Sequence, residues 1–212
     1  MNVNRKLLAI SIAVFAVFVV FTVMAKVCDA SAIAPDGSYV GFSHINASAN
    51  RAFGASVLCY KLTEYLGYLC LVIAAIHAVA ALRSLVKAKS LLKMDRLYLA
   101  TMVLYAVVIG FYILFELFVV NVRPTEAEAS YPSSHTMLAL CVLYSTAVIL
   151  KRKGDKPIFK VLTVLCYVAM ALMVVMRLLS GVHWLTDIIG AIILSASLLL
   201  CYRAFTPEEN TN

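Results

Sequence analysis

The sequence predicts an all-α polytopic membrane protein built as a bundle of six transmembrane helices. Composition is the first observation: of 212 residues, 63% are hydrophobic and only 14% are charged. Mean hydropathy, at +0.94, is the second, and it is far above that of a water-soluble domain. The third is spacing. A window of about 20 residues, the length needed to cross a bilayer, finds six apolar segments near 7–25, 62–82, 97–120, 132–150, 158–176 and 187–204. They consume most of the chain, so residues 1–212 read as one membrane domain with no separate soluble unit.

The first segment follows Arg5 and Lys6. It is longer than the apolar region of a signal peptide, so it reads as an uncleaved span. The second contains His77, expected to be a neutral imidazole bonded to a neighbouring helix. The fourth is apolar only from Thr136 onward, which is short for a span. Its first turn is therefore expected to include residues 132–135. The 26–61 connection carries the turn signal Pro35-Asp36-Gly37 and reads equally as a lid or as a linker. His44, within it, is expected to be solvated. Asn46-Ala47-Ser48 fits a glycosylation acceptor, a triplet common by chance. Cys70, Cys141, Cys166 and Cys201 fall inside spans as small apolar residues. Cys28 and Cys59 bracket the first connection, and the sequence leaves a disulfide between them open.

A net charge of +7 invites a nucleic-acid reading, but the positions of the basic residues exclude it. Arg83, Lys87, Lys89, Lys93 and Arg96 crowd the second connection, and Lys151, Arg152, Lys153 and Lys156 crowd the fourth. These alternate with connections poorer in Lys and Arg. The positive-inside rule then places both termini in the cytoplasm and segments 26–61, 121–135 and 177–187 on the opposite side. The second connection could also attract anionic lipid.

Those outer segments hold the residues with chemistry. Arg123 lies in the third, and Ser133, Ser134 and His135 stand where the fourth helix starts. Free N–H groups at a helix start attract anions. Arg177, Gly181, His183, Trp184 and Asp187 follow the fifth span. His183 and Asp187 are four apart and share a face if helix begins by His183. A carboxylate there would fix one imidazole nitrogen and leave the other as a nucleophile. Two Arg, two His and an Asp at one membrane depth are costly without partners. They suit a tetrahedral anion.

In these residues the chain resembles the type-2 phosphatidic acid phosphatase family, the membrane branch of a superfamily that includes the vanadium haloperoxidases. The family carries Lys-x6-Arg-Pro, Pro-Ser-Gly-His and Ser-Arg-x5-His-x3-Asp. Here the blocks read Glu116 to Arg123-Pro124, Pro132-Ser133-Ser134-His135, and Met176-Arg177 with His183 and Asp187 at the family spacing. The resemblance implies hydrolysis of a lipid phosphomonoester or diphosphate through a phosphohistidine, without metal or other cofactor. Undecaprenyl diphosphate, phosphatidylglycerophosphate and phosphatidic acid are the candidate substrates. His183 would be the nucleophile, Asp187 its orienting carboxylate, and His135 the general acid and base. Arg123, Arg177, Ser133 and Ser134 would hold the phosphoryl oxygens. The expected setting is a plasma membrane, bacterial in type, with the site facing outward and membrane lipids as the other partners. Nothing in the sequence sets the oligomeric state.

Three departures stand out. Ser134 replaces a Gly, Met176 a Ser, and Glu116 the Lys that would bind phosphate. Glu116 and Arg123, seven apart, would face the same way on a continuing helix and could pair. Glu116 could instead meet a cationic substrate group, or Lys61 could supply the missing charge. Two rival readings use the same residues. Glu116, His135, His183 and Asp187 could bind a metal, as in a hydrolase or cation transporter. The chain could also be a degenerate, non-catalytic lipid-binding member.

Overall fold

The computed structural model of the chain describes residues 3–206. Helix α1 spans Arg5–Val27. A two-residue hairpin, β1 Ser31–Ala32 with β2 Tyr39–Val40, leads to the short helix α2 at Ser43–Phe53. Then come α3 Val57–Ala88, α4 Arg96–Leu117, α5 Ser134–Arg152, α6 Pro157–Ser180 and α7 Leu185–Phe205. All except α2 are long and apolar enough to cross a membrane, which makes the six expected spans.

The spans divide into central and peripheral members. Over their apolar windows α5 is 50% buried and α7 44%, against 11–22% for the other four. Within a bilayer the apolar face of a peripheral helix meets acyl chains. The centre is close-packed around small residues: Ala139, Cys141, Ala147, Ala191 and Gly190 let α5 and α7 approach each other and their neighbours. The site residues His135 and Asp187 therefore stand on the two best-buried helices.

Several element boundaries differ from the sequence expectations. Helix α3 is longer than the 62–82 window at both ends, since Ser56 caps its start by accepting from the Cys59 N–H at 3.2 Å. Helix α4 stops at Leu117, short of 120. Helix α5 begins at Ser134, so Pro132 and Ser133 lie outside it, contrary to expectation. Gly181 ends α6 in the left-handed region at φ +71°. A Cβ there would lie 2.9 Å from the Gly54 Cα, so glycine is needed for both conformation and space.

At the end opposite the site, Asp95 caps α4 by accepting from the Leu97 N–H. It also pairs bidentately with Arg152 of α5 at 2.6 and 2.7 Å. Mid-bundle, His77 bonds the Tyr105 hydroxyl at 2.8 Å, and Tyr105 meets Ser145 Oγ at 2.9 Å. His77 is thus the structural imidazole expected, although two polar partners accompany it. Cys28 and Cys59 are free thiols. His44 is exposed but pairs with Asp29 at 2.7 Å, so it is not merely solvated.

The first connection packs on the turn between α6 and α7. Asn46 is fully buried and donates to Gly41 O at 2.8 Å and Thr186 Oγ1 at 2.9 Å. Its Oδ1 accepts the Thr186 N–H at 3.1 Å, and Asn50 donates to Gly181 O. So α2 clamps residues 181–186, and the buried Asn46 is closed to glycosylation. We expect Asn46→Ala to cost about 1–3 kcal/mol, because the buried Thr186 N–H loses its partner. Thermal unfolding of the purified variant measures it, and an unchanged melting temperature would contradict the clamp.

Candidate active site

Arg177 is the hub of the site. Its side chain is wholly buried in the last turn of α6, one turn before the Gly181 bend. A buried guanidinium is costly without partners, and four side chains meet it. Nη1 donates to Thr63 Oγ1 at 3.2 Å and to Glu64 Oε1 at 3.0 Å. Nη2 faces both imidazoles, 3.3 Å from His135 Nδ1 and 3.1 Å from His183 Nε2. The Tyr60 ring lies 5.9 Å from the guanidinium carbon. Four residues expected from sequence therefore come together: Arg177, His135, His183 and Asp187.

A guanidinium can only donate, so both nitrogens facing Nη2 must be lone-pair acceptors. That assigns the tautomers from the bonding. His135 carries its proton on Nε2, directed at Glu64 Oε1 3.2 Å away. His183 carries its proton on Nδ1, on the side of Asp187 Oδ2, at 3.6 Å. This last separation is ion-pair range and longer than a hydrogen bond. His183 Nε2 is left as a free lone pair beside the guanidinium. Burial keeps the His183 pKa below its ordinary value. Asp187 opposes that shift, while Arg177 and Arg123 reinforce it. A neutral imidazole at physiological pH follows.

Local folding explains how Asp187 is aimed. Helix α7 starts at Leu185, so His183 precedes it and does not lie on its face, as the four-residue spacing had suggested. Asp187 instead folds back on the helix start, accepting the Trp184 N–H at 2.9 Å through Oδ2. Its Oδ1 accepts from Asn121 at 3.2 Å. Trp184 Nε1 donates to Val122 O, tying this turn to the third connection. Asn121, at an unspecified position of the first motif block, is a fully buried support of the carboxylate.

The other expected residues are arranged differently. Ser133 is buried, donates its N–H to Asp187 O at 3.1 Å, and accepts from Thr136 at Oγ. Ser134 lines a narrow cleft with Ser130, Tyr131, His183 and Glu116. Arg123 sits in the third connection, 3.6 Å from Glu128 and 3.4 Å from Ala129 O. The anticipated Glu116–Arg123 pair does not form: α4 ends at Leu117, which breaks the register between them. Glu116 is exposed at the cleft mouth. Lys61 is exposed on α3.

Glu64 is the residue sequence reasoning missed. It lies inside the 62–82 apolar segment as that segment's only carboxylate, a signal that could have found it. Tyr60, Thr63, Glu64 and Gly67 recur at helical spacing and form the α3 wall of the site. Gly67 is needed there, since a Cβ would fall 2.8 Å from His135 Cδ2. We expect Gly67→Ala to lower kcat by roughly 10²-fold through displacement of that ring. Stability should be little changed, as Ala favours helix. Kinetics and melting temperature measured together test this.

Fold and site define a polytopic membrane protein with an anion-suited polar pocket at one end of its helices. Residues 112–210 match the family model of the PAP2 superfamily. The resemblance read from the three motif blocks is thereby borne out. Among solved structures, the chain is similar to that described as the first transmembrane PAP2-type phosphatidylglycerolphosphate phosphatase from Bacillus subtilis. The TM-score is 0.61 at 16% identity, covering 92% of this chain and 93% of that one. This likeness establishes the fold. No curated protein sequence matches the chain.

Proposed function

We propose that the protein is an integral membrane lipid phosphatase that works through a phosphohistidine on His183. The observation that carries this reading is the pair of oppositely oriented imidazoles sharing one guanidinium nitrogen. The PAP2-superfamily match and the phosphatase named among its structural neighbours support it.

The phosphoryl group enters beside Arg177, whose Nη2 turns from the imidazoles to its oxygens. Arg123 and the free N–H groups at the start of α5, Ser134 among them, complete the cradle. His183 Nε2 attacks phosphorus as the bond to the lipid oxygen breaks. That oxygen takes a proton from His135 Nδ1, which has received it from the phosphomonoester monoanion. In the second step water attacks phosphorus, gives its proton to His135, and the N–P electron pair returns to His183. Ser133 acts by holding the Asp187 backbone, so its part is structural. A guanidinium between the two imidazoles disfavours a bound cation, which weighs against the metal-site reading.

The single domain sits with its site at the outer leaflet, because the basic connections lie at the opposite end of the bundle. A plasma membrane, bacterial in type, fits this arrangement. A head group reaches such a site while its tails stay in the bilayer. Phosphatidylglycerophosphate, phosphatidic acid and undecaprenyl diphosphate are the substrates to try. Purified protein should release phosphate from at least one of them, equally with and without excess chelator. Loss of release in chelator, restored by zinc, would instead establish a metal enzyme.

A further inference from the structure

We propose that Glu64 is a positioning residue that makes His135 an effective general acid, forming with it a second carboxylate–imidazole pair across the pocket from Asp187–His183. The inference rests on the phosphatase reading above and goes beyond the three motif blocks. Glu64 lies outside residues 112–210, on α3, and its position is not set by any motif spacing.

The geometry points to this role. One oxygen, Glu64 Oε1, stands 3.2 Å from His135 Nε2 and 3.0 Å from Arg177 Nη1. Glu64 is about one quarter exposed and sits against a fully buried guanidinium. It holds the Nε2 proton, so the opposite nitrogen, Nδ1, is the one facing the reacting centre. When Nδ1 takes up a proton the ring becomes an imidazolium with Glu64 already bonded behind it. Arg177, whose Nη2 lies 3.3 Å from Nδ1, does not favour that cation. Glu64 is, among the described residues, the carboxylate that pairs with this ring. Gly67, one turn further along α3, leaves the ring room to lie against this carboxylate. A carboxylate serving only to neutralise Arg177 would not need to share its oxygen with His135.

Leaving groups separate the two roles. A lipid alkoxide needs its proton in the transition state, whereas p-nitrophenolate leaves without one. We therefore compare kcat/KM, which reports phosphoenzyme formation, on short-chain phosphatidic acid and on p-nitrophenyl phosphate. Glu64→Gln should lower the first on the order of 10²-fold, the scale of general-acid catalysis, and the second by less than about threefold. In a His135→Asn background the same substitution should have no further effect on the lipid substrate. Glu64→Asp, which keeps the charge one methylene away, should give a smaller change in the same ratio. It carries the test by itself if the amide variant is not recovered folded. Equal losses on both substrates, or a fall in KM for both alike, would overturn the proposal while leaving the phosphatase reading intact. So would an undiminished Glu64→Gln effect in the His135→Asn background. Wild-type protein that hydrolyses neither substrate would overturn both.

Discussion

Replacing His183 by Ala should abolish turnover, with kcat falling by about 10⁴–10⁶-fold, the range seen when a covalent nucleophile is removed. The fold should survive. His183 contributes one bond to Arg177 and a 3.6 Å contact to Asp187, and the turn that holds it is fixed by others. Asp187 still caps Trp184, and Asn46 still clamps Thr186. The decisive measurement adds radiolabelled substrate and looks for acid-labile phosphate on the protein. Wild type should trap it in a rapid quench, and His183→Ala should not. A His183→Ala protein with more than a few per cent of wild-type phosphate release would remove the nucleophile from the mechanism.

Arg177→Ala should be the change that costs the most stability, because it removes the hub. The substitution strips a partner from both imidazoles, from Thr63 and from Glu64. Breaking a buried ion pair by deleting one member costs about 3–5 kcal/mol. Partial solvation of Glu64 places this case near the lower end. Activity should fall by at least 10²–10³-fold, the scale for one lost transition-state donor. Arg177→Lys separates the two effects. A lysine keeps the charge but cannot face Glu64 and two imidazoles with fixed, planar donors. It should recover much of the melting temperature and little of kcat/KM. Recovery of both would mean that charge alone, without the forked geometry, suffices.

Much of this was legible in one dimension. Six spans follow from the length and apolarity of their segments, and a bilayer leaves helices few alternatives. His135, Arg177, His183 and Asp187 were legible because polar groups at one membrane depth are costly unless they meet. Helix ends were less so. Gly181 and Ser56 set boundaries through backbone angle and capping, which shift by a few residues without changing hydropathy. Glu116 shows the same limit: its register with Arg123 depended on α4 continuing, and α4 stops at Leu117. Asn121 and Asn46 carried no signal because a lone Asn in a connection resembles any solvated loop residue.

The sequence by itself determined the membrane class, the spans and the end of the bundle where the chemistry collects, since hydropathy and charge act along the chain. Only the tertiary structure decided which groups share a bond. Glu64 stands 113 residues from Arg177 in sequence and 3.0 Å from it in space. No local periodicity encodes that pairing. It follows from the packing of α3 against α5 and α6, where a buried guanidinium takes whichever acceptors the neighbouring helices present.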